Sequence, residues 1–291
     1  MFHKSYLVGI AMSLYAYVRL IRPLNGLIAF ISVILGAFLS GGGINPADKI
    51  IIASVTVLIL LSAGNALNDY CDVESDRINK PSRPIPSGHI GECSALTFSI
   101  LLFIIGIGLS LLVNWMAFLI ALIVSLLLLL YATSLRKLPL LANSTIGLLT
   151  GLTFIYGGIA VRTITGAIVP AVFAFLFTSA REVIKDIQDV KGDQAIGMPS
   201  LAITWGSKRA VYVSLVFLAL VIVISPIPYI ISFYSLYYLI CVALGVDTVL
   251  IYCMLSLLRY PSEHNAARIA NIMKFDIFAG LGAIYLGKLW L

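Results

Sequence analysis

Two short stretches of the chain carry the same spacing of aspartates, DxxDxxxD. The first runs from Asp69 to Asp76 and the second from Asp186 to Asp193, so the pattern recurs after 117 residues. The chain has 13 acidic residues, and eight of them lie in these stretches or directly beside the second. We interpret this concentration as a chemical site rather than as two solvated acidic loops. The repeated positions are Asp69, Asp72, Asp76, Asp186, Asp189 and Asp193.

Carboxylates at positions i, i+3 and i+7 fall within a sector of about 60° on a continuous helix. If the preceding helices continue through the motifs, each motif points three carboxylates in one direction. Such groups repel one another, and the macrodipole at a helix C-terminus also disfavours negative charge. Mg²⁺ offsets both effects and commonly combines one or two carboxylates with substrate phosphate oxygens. We therefore predict two facing clusters that hold Mg²⁺ and a diphosphate. The candidate catalytic residues are Asp72, Asp76, Asp189 and Asp193.

Basic residues surround both motifs, as a diphosphate site requires. Cations beside a leaving diphosphate neutralise its charge as the carbon–oxygen bond breaks. For any single one of them, a topology signal or a lipid headgroup contact is an equally good explanation. These residues are Arg77, Lys80 and Arg83 after the first motif, and Arg181, Lys185 and Lys191 around the second.

The composition indicates which elements must position these residues. Of the 291 residues, 60% are hydrophobic and 11% are charged, and the mean hydropathy is +1.05. Soluble domains carry about 25% charged residues. A water-soluble surface cannot be made from this composition, which also excludes a disordered chain and a coiled coil. We therefore predict a membrane protein whose chemistry takes place where polar loops meet the bilayer.

Nine apolar runs are long enough to span a bilayer, because about 20 helical residues cross its hydrocarbon core. The expected fold class is all-α, a polytopic membrane protein with nine transmembrane helices around a central cavity. The first motif follows the second run and the second motif follows the sixth. This period of four helices predicts two similar four-helix halves plus a ninth helix. The nine runs are 23–42, 48–67, 93–113, 115–133, 140–161, 167–184, 210–231, 234–256 and 271–291.

The basic residues are distributed unequally between the two sides of such a protein. With a cytoplasmic N-terminus, 16 of the 19 Lys and Arg residues lie on the inner side, as the positive-inside rule requires. We therefore expect a multi-pass protein of the cell membrane whose N-terminus and active-site loops are cytoplasmic. The net charge of +6 then reflects topology rather than nucleic-acid binding. One membrane-embedded domain, 1–291, is expected, with an interfacial helix over 1–22 and cap loops over 69–92 and 185–209.

Both motif regions resemble those of a known family. Residues 68–88, NDYCDVESDRINKPSRPIPSG, resemble the first signature of the UbiA-type intramembrane prenyltransferases. Residues 181–193, REVIKDIQDVKGD, resemble the second. The RPIPSG tail and the opening RPLN at residues 22–25 most resemble the archaeal branch of that family. The similarity extends over essentially the whole chain.

Matching the motifs position by position implies which residues contact metal and substrate. Residues 131–137 resemble a family stretch that ends in a diphosphate-facing lysine, and here Arg136 holds that place with Lys137 after it. Which of the two contacts substrate stays open. The metal ligands implied are Asn68, Asp69, Asp72, Asp76, Asp186, Asp189 and Asp193. The substrate-binding residues, for diphosphate or phosphate, are Arg22, Asn25, Lys80, Arg83, Tyr131, Arg136, Lys137 and Lys185.

The resemblance implies Mg²⁺-dependent transfer of a geranylgeranyl group from its diphosphate to the glycerol hydroxyl of geranylgeranylglyceryl phosphate. This step forms the second ether bond of archaeal membrane lipids. An aromatic or tetrapyrrole acceptor is an alternative within the family. A secondary transporter is a remote alternative, because transporter sites typically lie at the bilayer midplane. The expected partners are an isoprenyl diphosphate, a lipid-like acceptor and the lipid bilayer, without nucleic acid, and the oligomeric state stays open.

Overall fold

The computed structural model describes residues 14–41 and 43–291. Within these ranges, nine helices are long and apolar enough to cross a membrane. These nine, together with the short helices α3 and α8, are α1 (Pro23–Gly41), α2 (Ala47–Cys71), α3 (Val73–Asn79), α4 (Glu92–Ser110), α5 (Trp115–Thr133), α6 (Pro139–Ala160), α7 (Ile168–Gln188), α8 (Val190–Ala195), α9 (Ser207–Ile224), α10 (Leu236–Arg259) and α11 (Glu263–Leu289). The short helices α3 and α8 directly follow α2 and α7.

The outward faces of the long helices are apolar, which suits a lipid environment. Leu244, Val223 and Phe275 are 75%, 68% and 64% exposed, respectively. A bilayer core offers no water to backbone amides, so a spanning segment has to satisfy them internally, and a helix does so. The predicted all-α membrane architecture is therefore confirmed.

The predicted runs differ from the helices mainly near the C-terminus. The predicted start of the last run at residue 271 is wrong, because α11 begins at Glu263. Ser262 Oγ accepts a hydrogen bond from Asn265 N at 3.2 Å and so caps the helix. The first turns of α11 are polar, and a criterion based on apolar runs does not detect them. α10 also contains a π-helical segment, Val242–Asp247.

The structure describes residues 14–22 of the predicted N-terminal helix over 1–22. Residues 14–21 are helical, and residues 1–13 lie outside the described part of the chain. Arg22 then adopts a left-handed backbone conformation, with φ of 54°. Pro23 follows it as the first residue of α1, a position that tolerates proline because the N–H there has no intrahelical partner.

The two halves repeat the same arrangement around each motif. α2 packs on α1 and α4, as α7 packs on α6 and α9. The chain leaves the long helix at Asp72 with φ −96° and ψ 5°, and at Asp189 with φ −96° and ψ 4°. A continuous helix through each motif, as the spacing argument supposed, is therefore wrong. α3 and α8 begin after these breaks and pack against each other, which brings the two motif copies together.

Glycines allow α1 and α6 to touch at the end opposite the motifs. A Cβ atom at Gly157 would lie 2.0 Å from Val33 O, and one at Gly36 would lie 2.2 Å from Phe154 O. Only glycine permits backbones to approach so closely, as is common between membrane helices. This contact fixes the far boundary of the space between the two halves.

Candidate active site

A cavity of about 490 Å³ lies between the two halves and is lined by residues of both motifs. Its polar end lies where α2 and α7 end. Along α2, the lining runs from Asn68 at this end to Val57, a distance of about 16 Å at 1.5 Å per residue. The cavity therefore joins a charged end to an apolar interior. The apolar lining includes Val57, Leu60, Leu61, Ile120, Val124, Leu128, Ile146, Leu149 and Leu152.

Arginines hold the carboxylates of the first motif. Arg136, in the turn between α5 and α6, forms an ion pair with Asp72 at the end of α2. Arg83 forms an ion pair with Asp76 and another with Asp69 at 3.0 Å. Asp69 is itself only 2% exposed and lies behind the cavity lining. The predicted metal ligand Asp69 thus positions an arginine in the structure described, whereas Asp72 and Asp76 face the cavity.

The carboxylates of the second motif are held by a more varied set of partners. Lys80 forms an ion pair with Asp189. Ser75 Oγ donates a 2.8 Å hydrogen bond to Asp193. The Asp186 carboxylate accepts hydrogen bonds from the Asn143 side chain at 3.0 Å and from the Leu201 backbone N–H at 3.1 Å. These three aspartates all line the cavity.

Side chains of the first motif region reach across to the second. Asn79 Nδ2 donates to Asp189 O at 2.9 Å, and Asn79 Oδ1 accepts from Gly192 N at 2.9 Å. A Cβ atom at Gly192 would lie 2.2 Å from the Asn79 side chain. Together with Lys80 and Ser75, this amide fixes one motif against the other.

The residues predicted for the site did not include Asn79, Ser75 or Asn143. Asn79 follows Asp76 by three residues and Ser75 by four, so it continues the same face of α3. That spacing was the available signal for Asn79 and Ser75. For Asn143, by contrast, no spacing relative to the aspartate motifs indicates its contact with Asp186.

Burial perturbs the titration of several groups at the polar end. It raises the pKa of Asp76 above its usual value, although the neighbouring Arg83 acts in the opposite direction. Burial likewise raises the pKa of Asp193, against the hydrogen bond from Ser75. It also lowers the pKa of Arg136. The charged form of each group is therefore disfavoured by desolvation, which an incoming ion of opposite charge offsets.

The oxygen donors at this end fit Mg²⁺, although the carboxylates are not gathered around a common point. Among the described residues, no three His, Cys, Asp or Glu side chains form a metal-ligand group, because basic side chains and hydrogen-bond donors of the chain engage the aspartates instead. Carboxylate and amide oxygens are nevertheless the ligands that this hard cation takes. The basic side chains are long, so they can release the carboxylates and contact a phosphate.

The remaining predicted site residues fall into two groups. Lys137 is exposed and lies outside the cavity lining, so Arg136 is the member of that pair that faces the site. Arg77 contacts Glu74 at 2.9 Å, and Lys191 contacts Glu263 at 2.9 Å, also away from the lining. The predicted residues that do line the cavity are Arg22, Asn25, Asn68, Asp72, Asp76, Lys80, Arg83, Tyr131, Arg136, Arg181, Lys185, Asp186, Asp189 and Asp193.

The chain is similar in sequence to known proteins of one family. Residues 29–277 match the model of the UbiA prenyltransferase family. The chain is 38% identical over 274 residues to digeranylgeranylglyceryl phosphate synthase of Thermococcus kodakarensis, covering 94% of this chain and 98% of the relative.

Two solved structures share the fold. A structure of digeranylgeranylglyceryl phosphate synthase has a TM-score of 0.76 and 36% identity, covering 96% of this chain and 99% of the other. A UbiA homologue from Archaeoglobus fulgidus, bound to GPP and Mg²⁺, has a TM-score of 0.67 and 17% identity, covering 93% and 99%. The helical arrangement described above is thus shared with both.

Proposed function

The chain belongs to the UbiA prenyltransferase family, and from this membership we propose that it transfers a geranylgeranyl group. The donor is geranylgeranyl diphosphate, and the acceptor is the glycerol hydroxyl of geranylgeranylglyceryl phosphate. The C1–O bond of the donor breaks, an ether bond forms between C1 and the acceptor oxygen, and diphosphate and the hydroxyl proton are released. The synthase of Thermococcus kodakarensis, at 38% identity, supports this choice of acceptor.

One observation carries the proposal: two aspartate motifs face one cavity that is charged at one end and apolar beyond it. The charged end suits a diphosphate with its counterions, and the apolar interior suits an isoprenyl chain. The groups available to hold Mg²⁺ are oxygen atoms of Asn68, Asp72, Asp76, Asp186, Asp189 and Asp193, which all line the cavity.

Held by these oxygen atoms, Mg²⁺ would neutralise the charge of the leaving diphosphate. The chain itself contributes cations to the same task, because Lys80, Arg83 and Arg136 lie at the polar end. When a phosphorylated substrate enters, these side chains exchange a carboxylate for a phosphate oxygen. The apolar interior excludes water from the allylic group and so limits hydrolysis.

We also propose that the polar end faces the cytoplasm, because 16 of the 19 basic residues then lie inside. The segments that follow the long helices, 69–92 and 185–209, form a cap over this end. In a cysteine-free background, Ser82→Cys should react with a membrane-impermeant maleimide in inside-out vesicles. Labelling in right-side-out vesicles instead would contradict this orientation.

The reaction is tested with purified protein in nanodiscs, labelled geranylgeranyl diphosphate and Mg²⁺. We expect an ether product with geranylgeranylglyceryl phosphate, identified by mass spectrometry, and no product after chelation. The exposed Asp48 lies at the other end of α2, so Asp48→Asn is a control that should retain activity. A product with an aromatic acceptor and none with the glyceryl phosphate would overturn the choice of acceptor.

A further inference from the structure

The seven basic side chains that line the cavity fall into two groups. Three of them, Lys80, Arg83 and Arg136, form ion pairs with motif aspartates that also line it. The other four come from the residue directly before α1, from α7 and from α11. We call them the basic cluster: Arg22, Arg181, Lys185 and Lys274.

The basic cluster has too few acidic partners among the described residues. Glu182 contacts both Lys185 at 2.7 Å and Arg181 at 3.6 Å, so one carboxylate serves two cations. Arg22 pairs with Asp69, which Arg83 also contacts.

Lys274 has no ion pair with any described acidic residue, and the charged groups that act on its ammonium are Arg181, Arg22 and Lys185, all of like charge. The cluster therefore carries a surplus of positive charge.

The cluster is held in place rather than spread into water. Arg181 Nε donates a 3.0 Å hydrogen bond to Ala270 O, one turn before Lys274 on α11. The side chains of Arg181, Arg22 and Lys185 are 18%, 27% and 31% exposed. Like charges kept close together in a partly buried cavity repel strongly. An anion that binds among them relieves this repulsion.

We propose that the basic cluster binds the phosphate monoester of the acceptor, directly and without Mg²⁺. This inference rests on the proposed function, which requires two phosphorylated substrates in one cavity. The carboxylate-rich side needs a metal to accept a phosphate, whereas the basic cluster presents Arg and Lys donors suited to phosphate oxygens. The donor diphosphate thus binds with Mg²⁺ beside the motif aspartates, and the acceptor phosphate binds at the basic cluster. The cluster also selects for a phosphorylated acceptor.

Steady-state kinetics of Lys274→Gln test this assignment. Loss of one charge-assisted contact should raise the KM for geranylgeranylglyceryl phosphate by about tenfold or more. The KM for geranylgeranyl diphosphate should stay within about twofold of the wild type, since this donor binds beside the motif aspartates rather than at the basic cluster. Lys208→Gln, at an exposed lysine outside the cavity lining, is the matched control and should change neither constant. An equal rise in both KM values, or a rise in neither, would overturn the assignment.

Binding measured by calorimetry without turnover separates this inference from the proposed function. In EDTA, the wild type should bind geranylgeranylglyceryl phosphate but not geranylgeranylglycerol, and Lys274→Gln should weaken the first. Thermal unfolding of the variant checks that it is folded. Undiminished binding by folded Lys274→Gln, or equal binding of the two lipids, would overturn the basic cluster as a phosphate site. Failure of the wild type to transfer to this acceptor, with binding intact, would instead overturn the proposed function.

Discussion

At the scale of single residues, the carboxylates of the site form ion pairs and hydrogen bonds with basic and polar groups of the same chain. Arg136 holds Asp72, and Lys80 reaches from the first motif region to Asp189 in the second. Carboxylates and cations that neutralise one another in this way are both available when Mg²⁺ and a diphosphate enter together. The chain therefore does not need to leave a cluster of unpaired negative charges at the polar end of the cavity.

The requirement for Mg²⁺ should depend on pH because protons compete with the metal for the same oxygens. Burial raises the pKa of Asp76 and Asp193, so their protonated forms persist to higher pH than for a free aspartate. We expect the Mg²⁺ concentration that gives half-maximal activity to rise as the pH falls. This rise should begin at a pH above the usual aspartate pKa of about 3.9.

Activity is titrated with Mg²⁺ at a series of pH values between about 5 and 8, in saturating substrate. A lower pH also protonates carboxylates outside the site, which could unfold the protein. Thermal unfolding at each pH is therefore the control for global stability. A half-maximal Mg²⁺ concentration that stays constant while the protein remains folded would contradict the expected competition.

At the scale of helices, the sequence predicted the nine membrane-spanning helices of the described residues but missed the short helices α3 and α8 and the breaks that precede them. The apolar runs located α1, α5 and α6 to within one residue of their ends, because length and hydropathy suffice for a spanning helix. Hydropathy does not predict the turn at Asp72 or the polar first turns of α11. Both depend on tertiary contacts and side-chain caps rather than on composition.

Close helix packing makes one glycine critical for stability. A methyl group at Gly157 would clash with Val33 O at 2.0 Å, so α1 and α6 would have to move apart. We expect Gly157→Ala to lower the free energy of unfolding by about 3 kcal/mol or more, measured by unfolding in detergent. Gly108→Ala in α4 is the matched control, since a Cβ atom there meets nothing within 4 Å. Equal stability of both variants would show that α1 and α6 do not touch in this way.

At the scale of the whole molecule, two halves of similar design enclose one cavity between them. The repeated motif in the sequence predicted a shared site; five of its six aspartates line the cavity, whereas Asp69 lies behind the lining. Asn79 and Lys274 could not be assigned from sequence, because their roles depend on which helices meet across the cavity. A pattern along one chain reports the repeat but not the contacts between its two copies.

The apolar interior should set the length of the prenyl group. Ala121 lies on the cavity wall in α5, in the region lined by Ile120 and Val124, so a larger side chain there shortens the available space. We expect Ala121→Phe to lower kcat/KM for geranylgeranyl diphosphate by about tenfold or more, because overpacking typically costs 1–3 kcal/mol. The shorter geranyl diphosphate should be affected less. An equal loss for both donors would contradict a role of this wall in chain-length selection.

The shared use of both motifs is tested most directly by calorimetry with a non-reactive thiodiphosphate analogue of geranylgeranyl diphosphate. With Mg²⁺ present, Asp72→Asn and Asp189→Asn should each weaken binding by at least about tenfold, and Asp48→Asn should bind as the wild type does. Wild-type affinity in either motif variant would mean that the two aspartate clusters do not hold one ligand between them.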